Sequence, residues 1–259
     1  MSLQPKVTII TVSYNSSSTI RDTIKSVANQ SYPNLEYIIV DGGSTDGTLE
    51  IIREFPQAVS CLISEPDKGL YDAMNKGVKM ASGELIGILN SDDVYSSNEV
   101  ICSVSKVYTS SNKPDMILSD ITFNNFAHDF KLLRKVSVRH FQVWMLRLGW
   151  MPPHPGIFMQ KQFYQKVGDY KLSYKISADY EFLVRAFYKY KPRWSKANLV
   201  TVKMRPGGNS TKNIRANILI TKEIRQAFKE NDLYVPSFLL NFRFPIKLML
   251  QVIIPQLKK

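Results

Sequence analysis

The sequence predicts an α/β fold built on a mostly parallel sheet, and three observations support this prediction. Short apolar runs rich in β-branched residues alternate with amphipathic helical patterns through the first part of the chain. Each run ends in a polar, acidic or glycine-containing loop. The clearest run, 85–89, stops at Asn90, Ser91, Asp92 and Asp93. Because the carboxyl ends of parallel strands meet at one edge of a sheet, we expect these loops to converge on a single site.

The elements of the first half follow one another in β-α order. Apolar residues such as Ile20, Ile24 and Val27 recur at the spacing that places them on one helix face. We predict strands at 6–12, 35–40, 59–64 and 85–89, with helices at 18–30, 48–55 and 70–81 between them. Right-handed crossovers would place the helices on the faces of the sheet.

The second half of the chain is less regular. Its expected elements are strands at 116–120 and 130–138, an apolar stretch at 143–148, a proline-rich loop at 150–156 and a helix at 178–190. No segment has the composition of an interdomain linker. We therefore expect both halves to share one mixed sheet flanked by helices.

Composition limits the class of protein and its partners. A chain of 259 residues, 44% hydrophobic and 22% charged, is typical of a globular protein with one sizeable core. The net charge of +12 favours an anionic partner, such as an anionic membrane surface or a phosphorylated small molecule. Nucleic acid is disfavoured because no RNP-like motif, zinc finger or basic zipper is present.

The cysteines and the N-terminal sequence indicate the compartment. Cys61 and Cys102 lie in apolar contexts and read as buried free thiols, which is typical of a reducing compartment. The N-terminus lacks a cleavable signal pattern, and no uncharged apolar stretch is long enough to span a bilayer. These features predict a cytoplasmic protein.

The loop at 41–47 contains three glycines and short polar side chains, which permits close backbone approach to a ligand. It matches neither G-x-x-x-x-G-K-[ST] nor G-x-G-x-x-G, and it is also typical of a turn followed by a helix cap. Asp41 could accept a hydrogen bond from the N–H edge of a nucleobase. Tyr14 either supplies a stacking face for the base or belongs to the core.

Three further groups of polar residues are candidates for chemistry. Asp72, Asn75 and Lys76 share a helix face, which suits ribose and phosphate but also an ordinary solvated surface. Asp92 with Asp93 could hold Mg²⁺ or Mn²⁺, which needs few protein carboxylates when substrate phosphates complete its shell. The alternative is a strand-to-helix turn in which Asp93 is a cap.

Asp179 lies where the last predicted helix begins. It is either the N-cap of that helix or a general base that takes a proton from an attacking hydroxyl. The sequence pattern alone does not separate these two roles.

Five motifs occur in a fixed order along the chain. They are T-V-S-Y-N at 11–15, D-G-G-S-T-D-G-T at 41–48, D-K-G at 67–69, N-S-D-D at 90–93 and A-D-Y-E at 178–181. Over residues 6–211 the chain resembles the family 2 inverting glycosyltransferases with a GT-A fold, in particular bacterial enzymes of capsular polysaccharide, exopolysaccharide and O-antigen synthesis. The resemblance implies transfer of a sugar from a UDP- or GDP-sugar to an acceptor hydroxyl, with inversion and with Mg²⁺ or Mn²⁺ as cofactor.

The resemblance also implies roles for individual residues. Asp179 would be the catalytic base, and Asp92 would lie near the ribose and the metal. The residues expected to bind the donor are Thr11, Ser13, Tyr14, Asn15, Asp41, Gly42, Ser44, Asp67, Lys68, Gly69, Asp72, Asn75, Asn90, Ser91 and Asp92. The expected metal ligands are Asp92 and Asp93, with His154 as a further candidate.

The chain departs from the family pattern at two positions. Gly42 stands where an Asp-Asp pair usually has its second acid, and Asn90 replaces the first acid of the D-x-D element, which removes one anionic metal ligand. His154 is either an additional ligand or acceptor contact, or a structural residue beside prolines. The loop at 205–211 resembles a late glycine loop that closes near the diphosphate, and it could equally be a hairpin turn.

We predict a catalytic domain at 1–215, with a nucleotide-binding half at about 1–95 and an acceptor-binding half at about 96–215. A helical C-terminal extension at 216–259 follows. Its apolar residues alternate with cations, so it could lie on the inner face of the cytoplasmic membrane, pack against the catalytic core, or form a homodimer contact. The expected partners are a nucleotide-sugar donor and a glycan or lipid-linked acceptor.

Two rival functions are left by the sequence. A nucleotidyltransferase would also combine a nucleotide and a metal with acidic strand ends, but it should carry a glycine-rich phosphate loop with Arg or Lys after the first strand, and 13–19 has none. A catalytically inactive GT-A-like scaffold, suggested by Asn90, would bind a nucleotide without hydrolysing the donor.

Overall fold

A computed structural model describes residues 4–207, 214–236 and 240. Its strands are β1 (Val7–Ser13), β2 (Leu35–Asp41), β3 (Cys61–Ser64), β4 (Leu85–Asn90), β5 (Val94–Tyr95), β6 (Met116–Asn125), β7 (Lys131–Val136), β8 (Ile157–Gln160) and β9 (Trp194–Met204). Its helices are α1 (Ile20–Ala28), α2 (Thr48–Arg53), α3 (Leu70–Met80), α4 (Val100–Ser110), α5 (Lys161–Val167), α6 (Ala178–Arg185) and α7 (Ile214–Glu230). Short 3₁₀ turns cover Val143–Leu148 and His154–Gly156, and a π-helical turn at Ala186–Tyr190 continues α6.

One mixed sheet runs through both halves of the described chain, in the order β3-β2-β1-β4-β8-β6-β9-β5, with β7 paired to β6. The strands β1, β2, β3 and β4 are parallel, whereas β8 is antiparallel to both of its neighbours. Val7 lies opposite both Leu35 and Leu85. Because these strands start level, their carboxyl ends also lie side by side.

The sheet separates two hydrophobic clusters. Successive residues of β1 point to opposite faces, so Ile10 packs in one cluster with α3, while Ile9 packs in the other with α1. Gly77 brings α3 close to the sheet, since a Cβ at this position would clash with Ile10. This close packing fixes the start of α3 near the carboxyl edge of the sheet.

The predicted α/β fold is confirmed, and the strands and helices of the first half lie within a few residues of their expected positions. The second half differs more. β5, β8, β9, α4 and α5 are absent from the sequence-based prediction, and β6 extends five residues beyond its predicted end, from 120 to Asn125. β9 was missed because its pairing with β6 is interrupted by register shifts, so no clean alternation of apolar and polar residues marks it.

The described part of the predicted C-terminal extension packs on the rest of the described chain. Helix α7 lies against α6, and its residues Ile224, Ala227 and Phe228 are buried. Within the described ranges, no helix is both long and apolar enough to cross a membrane. The remainder of the predicted extension, 237–239 and 241–259, lies outside the described residues.

Candidate functional site

The candidate site lies at the carboxyl edge of β1, β2 and β4. The strand register places Ser13 opposite Asp41, and Val12 opposite Asn90. The loops that follow these three strands are therefore neighbours, as the sequence predicted from the α/β rhythm.

Asp41 organises the loop after β2. Its side chain is fully buried, and its two carboxylate oxygens accept five hydrogen bonds. The donors are the hydroxyls of Ser13, Ser44 and Ser64 and the backbone amides of Gly43 and Ser44. Burial by itself would raise the pKa of Asp41, but these donors outweigh it and lower the pKa. Asp41 is thus an ionised residue whose lone pairs are taken up by the protein.

Hydrogen bonds join the three loops to one another. The backbone amide of Asn15 donates to Ser44 Oγ at 2.8 Å, and Asn15 Oδ1 accepts from the amide of Thr45 at 3.0 Å. The hydroxyls of Ser16 and Ser91 lie 2.8 Å apart, which links the loop after β1 to the loop after β4. The loops therefore form one connected surface.

Tyr14 is 65% exposed on this surface, so it is not a core residue. The next residue, Asn15, has a φ of 47°, in the left-handed region that Asn tolerates better than most residues. The hydrogen bonds of Asn15 hold the chain in that conformation and leave the Tyr14 ring in solvent. An exposed aromatic ring at a loop edge can stack on a planar ligand.

Gly42 and Asp67 are in close contact. A Cβ built on Gly42 would lie 2.6 Å from Asp67 Oδ2, so the missing side chain at Gly42 makes room for this carboxylate. Asp67 Oδ1 accepts from the amide of Gly69 at 2.7 Å, just before α3. The carboxylate of Asp67 thus occupies space next to the position where the family pattern has a second acid.

Asp92 and Asp93 follow β4, and they differ from Asp41 in having few donors. Asp93 is 1% exposed, and no group of the described residues forms a hydrogen bond with its Oδ1 or with the buried Asn90 Oδ1. Burial and the neighbouring charge of Asp92 raise the pKa of Asp93, and burial raises the pKa of Asp92. The loop leads into β5 and not into a helix, so Asp93 does not cap a helix.

Arg205, which the sequence prediction did not single out beyond its place in the 205–211 loop, lies beside these acids. Its Nε donates to the backbone oxygen of Asp92 at 3.1 Å, and its guanidinium pairs with Asp22 at 2.7 Å. The guanidinium also lies 3.8 Å from the centre of the Phe126 ring. Residues 208–211 of the loop lie outside the described residues.

Asp179 lies in the first turn of α6 and is not its N-cap, which is Ser177. Tyr71, from the first turn of α3, donates its hydroxyl to Asp179 Oδ1 at 3.2 Å and to the backbone oxygen of Ile176. Burial raises the pKa of Asp179 to about 6, although hydrogen bonds from the Tyr180 amide and from Tyr71 act in the opposite direction. A carboxyl group with a pKa near neutrality is suited to proton transfer.

Three other predicted residues have structural partners. Thr11 is fully buried and accepts from Tyr37. Asn75 ties α3 to Tyr170, because its Nδ2 donates to the backbone oxygen and its Oδ1 accepts from the backbone amide. Asp72 accepts from the amide of Lys68 at 3.0 Å and lies 3.8 Å from Lys76.

His154 has a structural environment as well. Its Nε2 lies 2.9 Å from the hydroxyl of Tyr170, and burial lowers the pKa of the ring to about 4. Across the described ranges, no three His, Cys, Asp or Glu side chains form a group that could hold a metal, so His154 does not join Asp92 and Asp93.

The contacts connect every part of the site. Asp179 contacts Tyr71 on α3, and the turn before α3 brings Asp67 against Gly42. Asn15 joins the loop of Gly42 to the loop after β1, and Ser16 joins that loop to the loop after β4. Tyr71 is the residue in this series that sequence reasoning missed. A single tyrosine within a helical pattern carries no signal of a partner 108 residues away.

Comparison with known proteins identifies relatives of the chain. The family model described as Glycosyl transferase family 2 matches residues 8–104. An uncharacterised glycosyltransferase of Mycobacterium tuberculosis (strain H37Rv) is 32% identical over 189 residues, covering 72% of this chain and 70% of the relative. The Bacillus subtilis glycosyltransferase TuaG, named for teichuronic acid biosynthesis, is 37% identical over 100 residues, covering 38% of this chain and 40% of TuaG.

Two solved structures share the fold. Staphylococcus aureus TarS (residues 1–349), in complex with UDP-GlcNAc, superposes with a TM-score of 0.71 at 15% identity and covers 95% of this chain and 73% of that one. The mannosyltransferase PcManGT of Pyrobaculum calidifontis, in complex with GDP-Man and Mn²⁺, gives a TM-score of 0.63 at 18% identity, covering 93% and 70%. At such identities the likeness concerns the fold.

Proposed function

Because this chain belongs to the family 2 glycosyltransferases and has the GT-A fold, we propose that it transfers a sugar from a UDP- or GDP-sugar to an acceptor hydroxyl, with inversion at the anomeric carbon. The relatives named above favour a role in bacterial surface polysaccharide synthesis. The single observation that carries the proposal is the unbroken series of contacts from Asp179 to the loops after β1, β2 and β4.

The donor is proposed to bind on the connected loops. Tyr14 offers the exposed ring on which a nucleobase can stack, and the loop after β2 offers small residues that allow close approach. Asp41 would contribute by fixing this loop, since its oxygens are already engaged. Asp67, Lys68 and Gly69 would line the nucleotide pocket, and Ser13, Asn15, Gly42, Ser44 and Ser91 would shape it. We leave Thr11 and Asn75 out of this proposal because their polar groups serve the interior.

A divalent cation fits the loop after β4. The buried oxygens Asn90 Oδ1 and Asp93 Oδ1 have no hydrogen-bond donor, and Asp92 adds a second carboxylate. Oxygen ligands without donors are what Mg²⁺ and Mn²⁺ require, and one or two carboxylates suffice when diphosphate oxygens complete the shell. When bound there, Mg²⁺ or Mn²⁺ would offset the negative charge that develops on the departing diphosphate.

Asp179 is proposed as the general base. Its carboxylate would accept the proton of the acceptor hydroxyl while the hydroxyl oxygen forms a bond to the anomeric carbon. The bond from that carbon to the diphosphate oxygen breaks at the same time, and the nucleoside diphosphate leaves with the electron pair. A single displacement of this kind inverts the configuration of the anomeric carbon.

The acceptor and the domain limits are further parts of the proposal. We propose that residues 1–95 serve the donor and that residues 96–215 serve a glycan or lipid-linked acceptor. Family membership favours sugar transfer over nucleotidyl transfer. Contact with a membrane or with a second copy of the chain would involve residues 237–239 and 241–259, which lie outside the described residues.

Hydrolysis of UDP-GlcNAc and of GDP-Man with Mn²⁺ tests the proposal. We expect Asp179→Asn to reduce the rate by a factor of about 10² to 10⁴, since a general base is removed. Asp92→Ala should reduce the rate and weaken its dependence on Mn²⁺. The matched control is Asp169→Asn, which removes an exposed acid paired with Lys79 and should leave the rate unchanged.

Two results would contradict this function. A wild-type rate in Asp179→Asn would remove the assignment of the base. Binding of UDP or GDP by the wild-type protein, with no turnover of any nucleotide sugar in a donor panel, would favour the inactive scaffold instead.

A further inference from the structure

The segment 175–177, immediately before α6, is held by a carboxylate from the C-terminal helix. Glu223 on α7 is 4% exposed. Its Oε1 accepts from the backbone amide of Lys175 at 2.7 Å, and its Oε2 accepts from the amides of Ile176 at 3.2 Å and Ser177 at 2.8 Å. A glutamate 46 residues away in sequence from Ser177 thus binds three consecutive amides.

The amides of Lys175, Ile176 and Ser177 lie immediately before α6, a helix that lacks a side-chain cap at its N-terminus. Ser177 is the N-cap of α6, but its side chain makes no capping hydrogen bond. The amides that Glu223 binds are those of the N-cap residue and the two residues before it, and buried amides need acceptors. Glu223 therefore fixes the chain as it enters α6 and does not replace the missing cap.

Tyr71 holds the same segment from the opposite element. It is 7% exposed in the first turn of α3, and its hydroxyl contacts the backbone oxygen of Ile176 as well as Asp179 Oδ1. The peptide units before Asp179 are fixed through their amides by α7 and through a carbonyl by α3. This arrangement leaves Asp179, in the first turn of α6, little freedom to change position.

Ion pairs and hydrogen bonds around Glu181 attach α7 to the same helix. Lys171 lies 3.0 Å from the buried Glu181 and 2.7 Å from Glu230 of α7. Asn231, just after α7, donates to Glu181 at 3.2 Å. The position of α7 is therefore set relative to α6, which makes Glu223 a fixed support.

We propose that Glu223 is a positioning residue for Asp179, acting with Tyr71 to set the location and the charge of the base, so that α7 is a working part of the catalytic unit. This inference rests on the proposed role of Asp179. Glu223 contacts the peptide units before the base and touches no substrate in this proposal.

Glu223 and Tyr71 shift the pKa of Asp179 in opposite directions. The titratable side chains that interact with Asp179 from neighbouring elements are Tyr71 on α3, Tyr170 before α6 and Glu223 on α7. The negative charge of Glu223 raises the pKa of Asp179, whereas the hydrogen bond from Tyr71 lowers it. Changes at the two positions should therefore move the pKa of the base in opposite directions.

The test measures the pH dependence of kcat and KM in the full chain, with Mn²⁺ and whichever of UDP-GlcNAc and GDP-Man the wild type hydrolyses faster. Glu223→Gln should lower kcat about tenfold or more, with KM for the donor within about twofold of wild type, because donor binding does not involve α7. The acid limb of kcat/KM should move to lower pH in Glu223→Gln and to higher pH in Tyr71→Phe. Asp232→Asn, an exposed acid just after α7, should change neither kcat nor the limb.

Opposite displacements of the acid limb are a readout that loss of packing would not produce. Wild-type kcat in Glu223→Gln, or reduced kcat with no displacement of the limb in either variant, would overturn the proposal. If Glu223→Gln no longer shows a UDP-induced rise in Tm, its fold is impaired and Tyr71→Phe decides the question by the sign of its shift. Asp179→Asn separates the two proposals. Wild-type activity in Asp179→Asn would remove the assignment of the base itself. Loss of activity in Asp179→Asn, with wild-type kcat in Glu223→Gln, would remove only the positioning role of Glu223.

Discussion

The loops after β2 and β4 both place a buried carboxylate at the carboxyl edge of the sheet, yet the two carboxylates have opposite surroundings. Asp41 accepts five hydrogen bonds, and its pKa is lowered. Asp93 has an oxygen without a partner and lies beside Asp92, and its pKa is raised. Both oxygens of Asp41 are engaged by donors, whereas within the described residues one oxygen of Asp93 has none.

Asp41 holds its own loop together, whereas Asp93 has the unengaged oxygen that the proposed cation site requires. Burying a charge is unfavourable unless hydrogen bonds or an opposite charge compensate for it. The loop after β2 provides that compensation with serine hydroxyls and backbone amides. The loop after β4 provides Asn90, whose Nδ2 lies 3.3 Å from Asp93 Oδ2, and Arg205, just after β9, adds a backbone hydrogen bond and its charge.

The largest expected effect on stability is that of Asp41→Ala. It would leave the half-buried amides of Gly43 and Ser44 and the hydroxyls of Ser13, Ser44 and Ser64 without their acceptor, and we expect the free energy of unfolding to fall by about 3 kcal/mol. Urea denaturation measures this change. The control is Asp46→Ala in the same loop, where the acid is exposed and accepts from the Ser17 and Thr48 amides; its effect should be clearly smaller. Equal losses in the two variants would contradict the distinction.

Asp93→Asn should have the opposite sign. Without metal, replacing a buried carboxylate that faces Asp92 removes an unfavourable charge, so we expect a gain of about 1 kcal/mol in the free energy of unfolding at pH 7. The same variant should lose the rise in Tm that Mn²⁺ with UDP gives the wild type. A destabilised Asp93→Asn with an unchanged Mn²⁺ response would show that the loop after β4 is structural like the loop after β2.

Gly42→Ala tests the contact between the loop after β2 and Asp67. The added Cβ would displace the Asp67 carboxylate, and we expect nucleotide affinity to fall about tenfold, or about 1.4 kcal/mol. Isothermal titration with UDP or GDP measures the loss. In an Asp67→Ala background Gly42→Ala should reduce nucleotide affinity much less, because the carboxylate that the added Cβ would displace is absent. Additive losses of affinity in the double variant would exclude a contact between the two positions.

The smallest expected effect on stability is that of Tyr14→Ala. Tyr14 is 65% exposed, so its removal should change the free energy of unfolding by no more than about 0.5 kcal/mol. Nucleotide affinity should fall by about 1 kcal/mol through the loss of stacking, while Tyr14→Phe should bind as the wild type does. Unchanged affinity in Tyr14→Ala would place the base elsewhere.

The elements that could be predicted are those that carry a strong local sequence pattern of their own. β1, β2 and β4 with the helices between them were recognised because each strand is a compact apolar run and each helix has its own face. β8 and β9 are inserted between and beside strands from distant parts of the chain, and β9 pairs with β6 through register shifts. Their stability comes from tertiary pairing, which leaves a weak local pattern.

The site shows the same division at the level of single residues. The sequence by itself determined that acids, glycines and serines gather at one edge of the sheet, because the alternation of strands and helices dictates where parallel strands end. Only the tertiary structure decided which acid has its oxygens engaged by hydrogen-bond donors and that Thr11 and Asn75 bond to buried partners. It also decided that Tyr71 contacts Asp179 and that Glu223 binds the peptide units before it. Hydrogen bonds and burial depend on partners brought together from positions as far apart as 71 and 179, and a linear pattern does not contain those distances.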